Sequence, residues 1–245
     1  MPSSTGVKAT FLWRCEMTTA LDGLAGWMLL LGVCCAVVNW VTVVCGIRRL
    51  EYLFKPATLM AFVIGAWLLG QRVDGGRLAL WFVVALVFSL AGDVFLMLPD
   101  ETWFVPGLLA FLVGQVCYII GFNPTWPPVG AIAIAAVVAV VDWIVLPKII
   151  RGVRDSGAPK LQGPVIGYGV ILSLMLVSAW ATWFRTGWCS AGRLLAGLGG
   201  TLFFASDLML AWNKFVRPSK SLHVAVIVTY HLGQLALALT VGFGV

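Results

Sequence analysis

Within Gly200-Thr-Leu-Phe-Phe-Ala-Ser-Asp207-Leu-Met-Leu-Ala-Trp-Asn-Lys-Phe215, one carboxylate is set inside an apolar helical run where lipid-compatible side chains would be expected. An ionisable side chain at membrane depth costs roughly 2.5–3.5 kcal/mol on insertion scales, so its default reading is a functional site that faces the protein interior. The plain alternative is a structural Asp satisfied by a Lys, an Arg or a backbone group of a neighbouring helix. Asp93, in Gly92-Asp93-Val-Phe-Leu96, repeats the arrangement, and so does Asp142, in Ala139-Val-Val-Asp142-Trp-Ile. Two carboxyl groups close together in a low-dielectric site cannot both ionise readily, which leaves a general acid beside a general base at neutral pH. The same pair could relay protons in a transporter, so spacing alone does not choose between the two chemistries.

The elements that must position these acids follow from composition. Of 245 residues, 61% are hydrophobic and only 11% charged, and the mean hydropathy is +0.99. Soluble domains carry about 25% charged residues, so this is a polytopic membrane protein. The net charge of +6 comes from Lys and Arg in short connections. That placement suits membrane lipids and their anionic head groups and excludes nucleic acid as a partner. Eight apolar runs are read, at about 24–46, 54–70, 78–98, 104–122, 129–147, 163–184, 194–212 and 222–243. Runs of this length without period-2 alternation predict helices, hence an all-α bundle of eight transmembrane helices over 24–245, preceded by an N-terminal tail at 1–23. The first run is too long for a signal segment and is read as a retained span. Ten of the sixteen Lys and Arg residues fall on the face that carries connections 1–2, 3–4, 5–6 and 7–8, which the positive-inside rule places in the cytoplasm.

Asp93, Asp142 and Asp207 each lie five residues before the end of their run, and the three runs point the same way. At 1.5 Å per residue this puts all three carboxylates roughly 7 Å inside the basic face. Lys55-Pro56 is expected to open the second span from that side. Gln115, Tyr230, His231 and Gln234 are expected deeper, towards the midplane. Together they describe a polar chamber open to one face, with acids inside, a cation near its mouth and amides at its floor. His231 reads first as a hydrogen-bonded core residue. With only His223 and His231 and no H-E-x-x-H or H-x-x-E-H pattern, a zinc site is not expected. The six cysteines (Cys15, Cys34, Cys35, Cys45, Cys117, Cys189) lack ligand spacing and read as small apolar fillers. An internal repeat is suggested by Asn39 against Asp142, Gly92-Asp93 against Ser206-Asp207 and Gly114-Gln115 against Gly233-Gln234. It implies two four-helix halves in the same orientation.

The sequence resembles the YhhN family of eight-span membrane proteins, whose animal members are lysoplasmalogenases. The resemblance rests on five blocks: Tyr52-Leu-Phe-Lys55-Pro56; Gly92-Asp93-x-x-Leu96; Phe104-x-x-Gly107-Leu108-x-x-Phe111 running on to Tyr118 and Phe122; Gly200-x-x-Phe203-x-x-Ser206-Asp207-x-x-Leu210-Ala211-x-x-x-Phe215; and Tyr230-x-x-Gly233-Gln234-Leu235. It implies hydrolysis of the vinyl ether bond of lysoplasmalogens to a fatty aldehyde and a glycerophospho-alcohol, so the partner is a lysophospholipid substrate. It also implies that Asp93 and Asp207 are the catalytic pair, working without a metal or organic cofactor, while Asp142 stands as a candidate additional acid on its depth alone. Lys55, Gln115, Tyr118, Ser206, Tyr230 and Gln234 would then bind substrate or water, and Lys214 and Arg217 are weaker phosphate candidates. The sequence departs from the family at Gln115, where members commonly carry a His, and Gln cannot exchange a proton as His does.

The rival classes are a proton-coupled transporter and a non-catalytic lipid-binding protein using the same aspartates. An intramembrane aspartyl protease is disfavoured, because its Gly-x-Gly-Asp signature reads Leu90-Ala-Gly92-Asp93 here. The composition fits a bacterial plasma membrane, with the endoplasmic reticulum as the alternative.

Overall fold

The computed structural model describes residues 23–72 and 76–243. The tail expected over 1–23 lies, apart from Gly23, outside the described residues, and so does Cys15. In hydrocarbon every backbone N–H and C=O must be satisfied within its own segment, and the apolar runs accordingly form helices. Eight of them are long and apolar enough to cross a membrane. They are α1 (Leu24–Cys45), α2 (Arg48–Gly70), α3 (Gly76–Met97), α4 (Phe104–Phe122), α5 (Ala131–Asp155), α6 (Gln162–Ala181), α7 (Ser190–Phe215) and α8 (Lys220–Thr240). Short 3₁₀ turns at Glu101–Trp103, Pro159–Leu161 and Thr182–Phe184 tighten three of the connections. The described residues contain no strand.

Several helix ends differ from the hydropathy reading. α2 starts at Arg48, so Lys55-Pro56 lies two turns inside the helix and does not open it. Helical structure there runs out of the apolar zone into a charged first turn bearing Arg48, Arg49 and Glu51. α5 carries through Pro147 to Asp155, and α7 continues to Phe215. These added turns pack on each other: Ile149 and Val153 meet Val165, Leu208, Ala211, Trp212 and Phe215 in a small core of their own. Gly152 makes room for this, since a Cβ there would lie 2.3 Å from the Phe215 carbonyl oxygen. Packing therefore extends both helices past the point where hydropathy falls.

Each helix packs on its chain neighbours within 1–4 and within 5–8, and the halves join where α4 meets α6 and α2 meets α8. These two joints exchange under the expected repeat. The correspondence ends at α1 and α5: α1 also packs on α8, whereas α5 is peripheral, with Trp143 83% exposed towards lipid. On the face away from the basic connections, the Arg185 guanidinium donates to Thr125 Oγ1, Asn123 Oδ1 and the Thr125 carbonyl, which ties the α4–α5 connection to the α6–α7 connection.

The repeated Gly-Gln pairs mark close backbone contacts between helices. A Cβ on Gly114 would sit 3.0 Å from the Ala85 carbonyl oxygen of α3, and one on Gly233 would sit 2.9 Å from the Phe203 backbone nitrogen of α7. Backbone cannot step aside as a side-chain tip can, so filling either position forces the helices apart, and overpacking of this kind costs about 1–3 kcal/mol. Gly233→Ala should therefore lower the melting temperature in detergent by several degrees. Gly167→Ala, where nothing lies within 4 Å, should leave it unchanged within a degree or two.

Candidate active site

Lys55, two turns into α2, points at α3 and places its Nζ 3.0 Å from Asp93 Oδ1. Tyr230 of α8 donates its hydroxyl to Asp93 Oδ2 at 2.9 Å. Asp93 is only 1% exposed, so both of its oxygens are satisfied by protein groups brought from two other helices. Tyr230 is fixed in turn by aromatic edges: its ring lies 5.8 Å from Phe111 and 5.6 Å from Phe203, and those two rings are 6.3 Å apart. Gly92 makes this cluster possible, because a Cβ there would fall 2.5 Å from the Phe111 ring.

Asp207 is held differently. The Tyr168 hydroxyl of α6 donates to its Oδ2, and its side chain is only half-buried because it borders two cavities. The first, of about 240 Å³, is polar and lies between the ends of α2, α3, α7 and α8 that belong to the basic face. Its wall includes Arg48, Glu51, Tyr52, Lys55, Asp93 and His223. The second, of about 50 Å³, is an apolar crevice between α3, α4, α6 and α7, walled by Leu96, Leu108, Val165, Ala211 and Phe215 among others. Leu96, Phe111, Asp207 and Leu210 line both. Asp207 thus stands where a polar chamber meets a greasy one, and both acids line the polar chamber.

Of the residues expected from sequence, Lys55, Asp93, Ser206, Asp207 and Tyr230 line that cavity. Ser206 spends its hydroxyl on the Val226 carbonyl at 3.0 Å, fastening α7 to α8. Tyr118 and Gln234 meet each other one layer deeper, the Tyr118 hydroxyl donating to Gln234 Oε1 at 2.7 Å. Gln115 is buried near the Tyr168 hydroxyl with neither amide atom in hydrogen-bond geometry. His231 accepts from Trp40 Nε1 at 3.0 Å, as a hydrogen-bonded core residue should.

Asp142 is not brought to the site. Its carboxylate accepts from Ser173 at 2.7 Å, and Ser173 lies five residues deeper along α6 than Tyr168, so Asp142 sits about 7 Å below Asp207. The equal depth expected from sequence fails because α5 ends at Asp155 and not near Pro147. Lys214 borders the apolar crevice with its Nζ 4.4 Å from the centre of the Phe104 ring, while Arg217 lines a separate surface indentation with Ser219 and Ser221. Four site residues were not anticipated: Tyr168, Arg48, Glu51 and His223. Tyr168 begins about 9 Å inside α6 from the basic face, so the depth argument used for the acids finds it when applied to tyrosines.

Comparison with known proteins gives the same family as the motifs. The lysoplasmalogenase TMEM86B of Homo sapiens is 32% identical over 158 residues, which cover 64% of this chain and 61% of that protein. The lysoplasmalogenase of Mycobacterium tuberculosis is 30% identical over 203 residues, covering 81% of this chain and 72% of its own length. The lysoplasmalogenase TMEM86A of Homo sapiens is 29% identical over 64% of this chain and 63% of its own. The match thus spans about three-fifths of the human relatives. No solved structure matches significantly. The profile of the YhhN family matches residues 50–241, which contain Lys55, Asp93, Tyr168, Asp207 and Tyr230. This integral membrane protein belongs to the YhhN family.

Proposed function

We propose that the protein hydrolyses the vinyl ether bond of lysoplasmalogens, releasing a fatty aldehyde and a glycerophospho-alcohol. The reading is carried by one observation: two carboxylates border one cavity in unlike settings, Asp93 against an ammonium and Asp207 against a phenol at the seam with an apolar crevice. An amphipathic substrate with a single reactive bond between its polar and apolar parts fits such a seam. The first carbons of its alkenyl chain enter the crevice, its head group occupies the polar chamber, and the ether falls beside Asp207. The names of the relatives agree with this chemistry.

The opposite charge of Lys55 favours the carboxylate form of Asp93, and Asp207, with no cation bonded to it, is the acid of the pair. The Asp207 carboxyl gives its proton to the vinyl carbon β to the ether oxygen, creating an oxocarbenium ion. Asp93 stabilises that cation across the cavity and takes a proton from the water that attacks it. In the hemiacetal that results, the new hydroxyl returns its proton to Asp207 while Asp93 hands its own to the departing glycerol oxygen. Both acids are restored, and the net change is the addition of one water. Lys55 keeps two N–H donors beyond the one facing Asp93, and these can face the substrate phosphate. Tyr168 orients Asp207, and Tyr230 orients Asp93. The reaction belongs at the basic face of the membrane, in a bacterial plasma membrane on compositional grounds.

Asp93→Asn and Asp207→Asn should each lower aldehyde release from a 1-alkenyl lysophospholipid by at least about 100-fold, the usual size of a lost acid–base group. Tyr168→Phe, which removes only the orienting hydroxyl, should cost roughly three- to tenfold. Mass spectrometry of the released aldehyde is the measurement, and full activity in both Asn variants would sink the reading. A separate check addresses the crevice. Ala211→Leu should narrow it and depress kcat/KM for long alkenyl chains roughly tenfold more than for short ones, a discrimination typical of a few methylenes in an apolar pocket.

A further inference from the structure

The charged residues of α2 form a stripe along one side of the polar cavity. Arg48, Glu51 and Lys55 are spaced i, i+3 and i+7, so they lie above one another on one helix face, and all three line the cavity. Read from floor to rim, the charges alternate: Asp93, Lys55, Glu51, Arg48. Asp93 and Lys55 satisfy each other at 3.0 Å. Glu51 does not share in that pair, and neither its carboxylate nor the Arg48 guanidinium has an ion-pair or hydrogen-bond partner among the described residues. Only backbone groups of Glu51 are engaged, its N–H donating to the Ile47 carbonyl at 3.3 Å and its carbonyl accepting from Asn39 Nδ2 at 3.5 Å. His223, from the first turn of α8, faces Glu51 and Lys55 across the mouth. A half-buried carboxylate left free in a cavity wall, one helical turn outside a lysine, calls for a cation from elsewhere.

A zwitterionic phospholipid head group presents its charges in the same order. Going outward from the ether bond come glycerol, the phosphate and, across a two-carbon linker, the ammonium. With the ether at the Asp93–Asp207 level, the phosphate comes level with Lys55. The ammonium then falls one helical turn, about 6 Å, further out, level with Glu51. The ring of Tyr52, on the same cavity wall, adds a face on which a methylated ammonium can rest. We infer that Glu51 is the specificity-determining residue that recognises the head-group ammonium, so that phosphoethanolamine and phosphocholine substrates are preferred over those ending in a bare phosphate. This rests on the hydrolase reading above and deepens it. Repulsion contributes as well as attraction: with no ammonium in place, the doubly charged phosphate faces the unpaired Glu51 carboxylate.

The test compares 1-alkenyl-glycerophosphoethanolamine with 1-alkenyl-glycerophosphate of the same chain, using purified protein, aldehyde release, and detergent melting temperature as the control for folding. The wild-type protein should favour the ethanolamine substrate by roughly tenfold in kcat/KM, mainly through KM, as expected for one partly exposed charge contact together with removal of its repulsive counterpart. Glu51→Gln should bring that ratio close to one, and Glu51→Asp should restore most of it. A ratio that Glu51→Gln leaves at its wild-type value overturns the role of Glu51 while leaving the hydrolase intact. Aldehyde release from neither substrate by the wild-type protein overturns the hydrolase reading and this inference together.

Discussion

The Lys55–Asp93 pair is the constraint to which the rest of the site is fitted. A charge in a lipid-spanning bundle needs a partner, and breaking a buried pair by removing one member costs about 3–5 kcal/mol because the other is stranded. Lys55 and Asp93 come from different helices, so α2 and α3 must meet at one register, and α8 must follow them to deliver Tyr230. Tyr230 then depends on Phe111 and Phe203, Phe111 on the space left by Gly92, and the approach of α8 to α7 on Gly233. Motif residues that look unrelated along the chain are therefore successive supports of one ion pair.

The two halves of the bundle hold their acids in corresponding places but with different chemistry. α2 presents an ammonium to the acid of α3, and α6 presents a phenol to the acid of α7. The helices are matched in order, yet the partner of one acid carries a charge and the partner of the other does not. Symmetric architecture with asymmetric partners gives two carboxyl groups of the same type distinct characters. A second difference reinforces the first: Asp93 is nearly all buried and borders the polar chamber alone, while Asp207 borders both cavities.

Most of the bundle was legible in the sequence because lipid imposes a simple rule on backbone, and apolar runs of the right length have no other stable form. The acids were legible for the converse reason: Asp93 and Asp207 are conspicuous where a charge is costly. Hydropathy misjudged the places where packing, and not lipid, ends a helix. α5 and α7 lengthen each other through Ile149, Val153 and Phe215, which displaced Asp142 from the level assigned to it. Tyr168 was missed because a tyrosine in an apolar run is unremarkable by composition. Yet the chain has only four tyrosines, and all of them bear on the site: Tyr52 on the cavity wall and bonded to the Met97 carbonyl, Tyr118 through Gln234, Tyr168 on Asp207 and Tyr230 on Asp93. Glu51 and Arg48 escaped notice because charges flanking a span read as topology signals until a cavity is seen beside them.

The position of Asp207 on the wall between a wet chamber and a dry one has a consequence for what happens after the bond is cut. On the proposed reaction, the two fragments have no affinity for the same solvent. The aldehyde is left on the hydrocarbon side and can diffuse laterally into the bilayer, whereas the glycerophospho-alcohol is left on the aqueous side and is lost to bulk water. Once parted, they meet again only by crossing phases, so the membrane itself sorts the two products as they form.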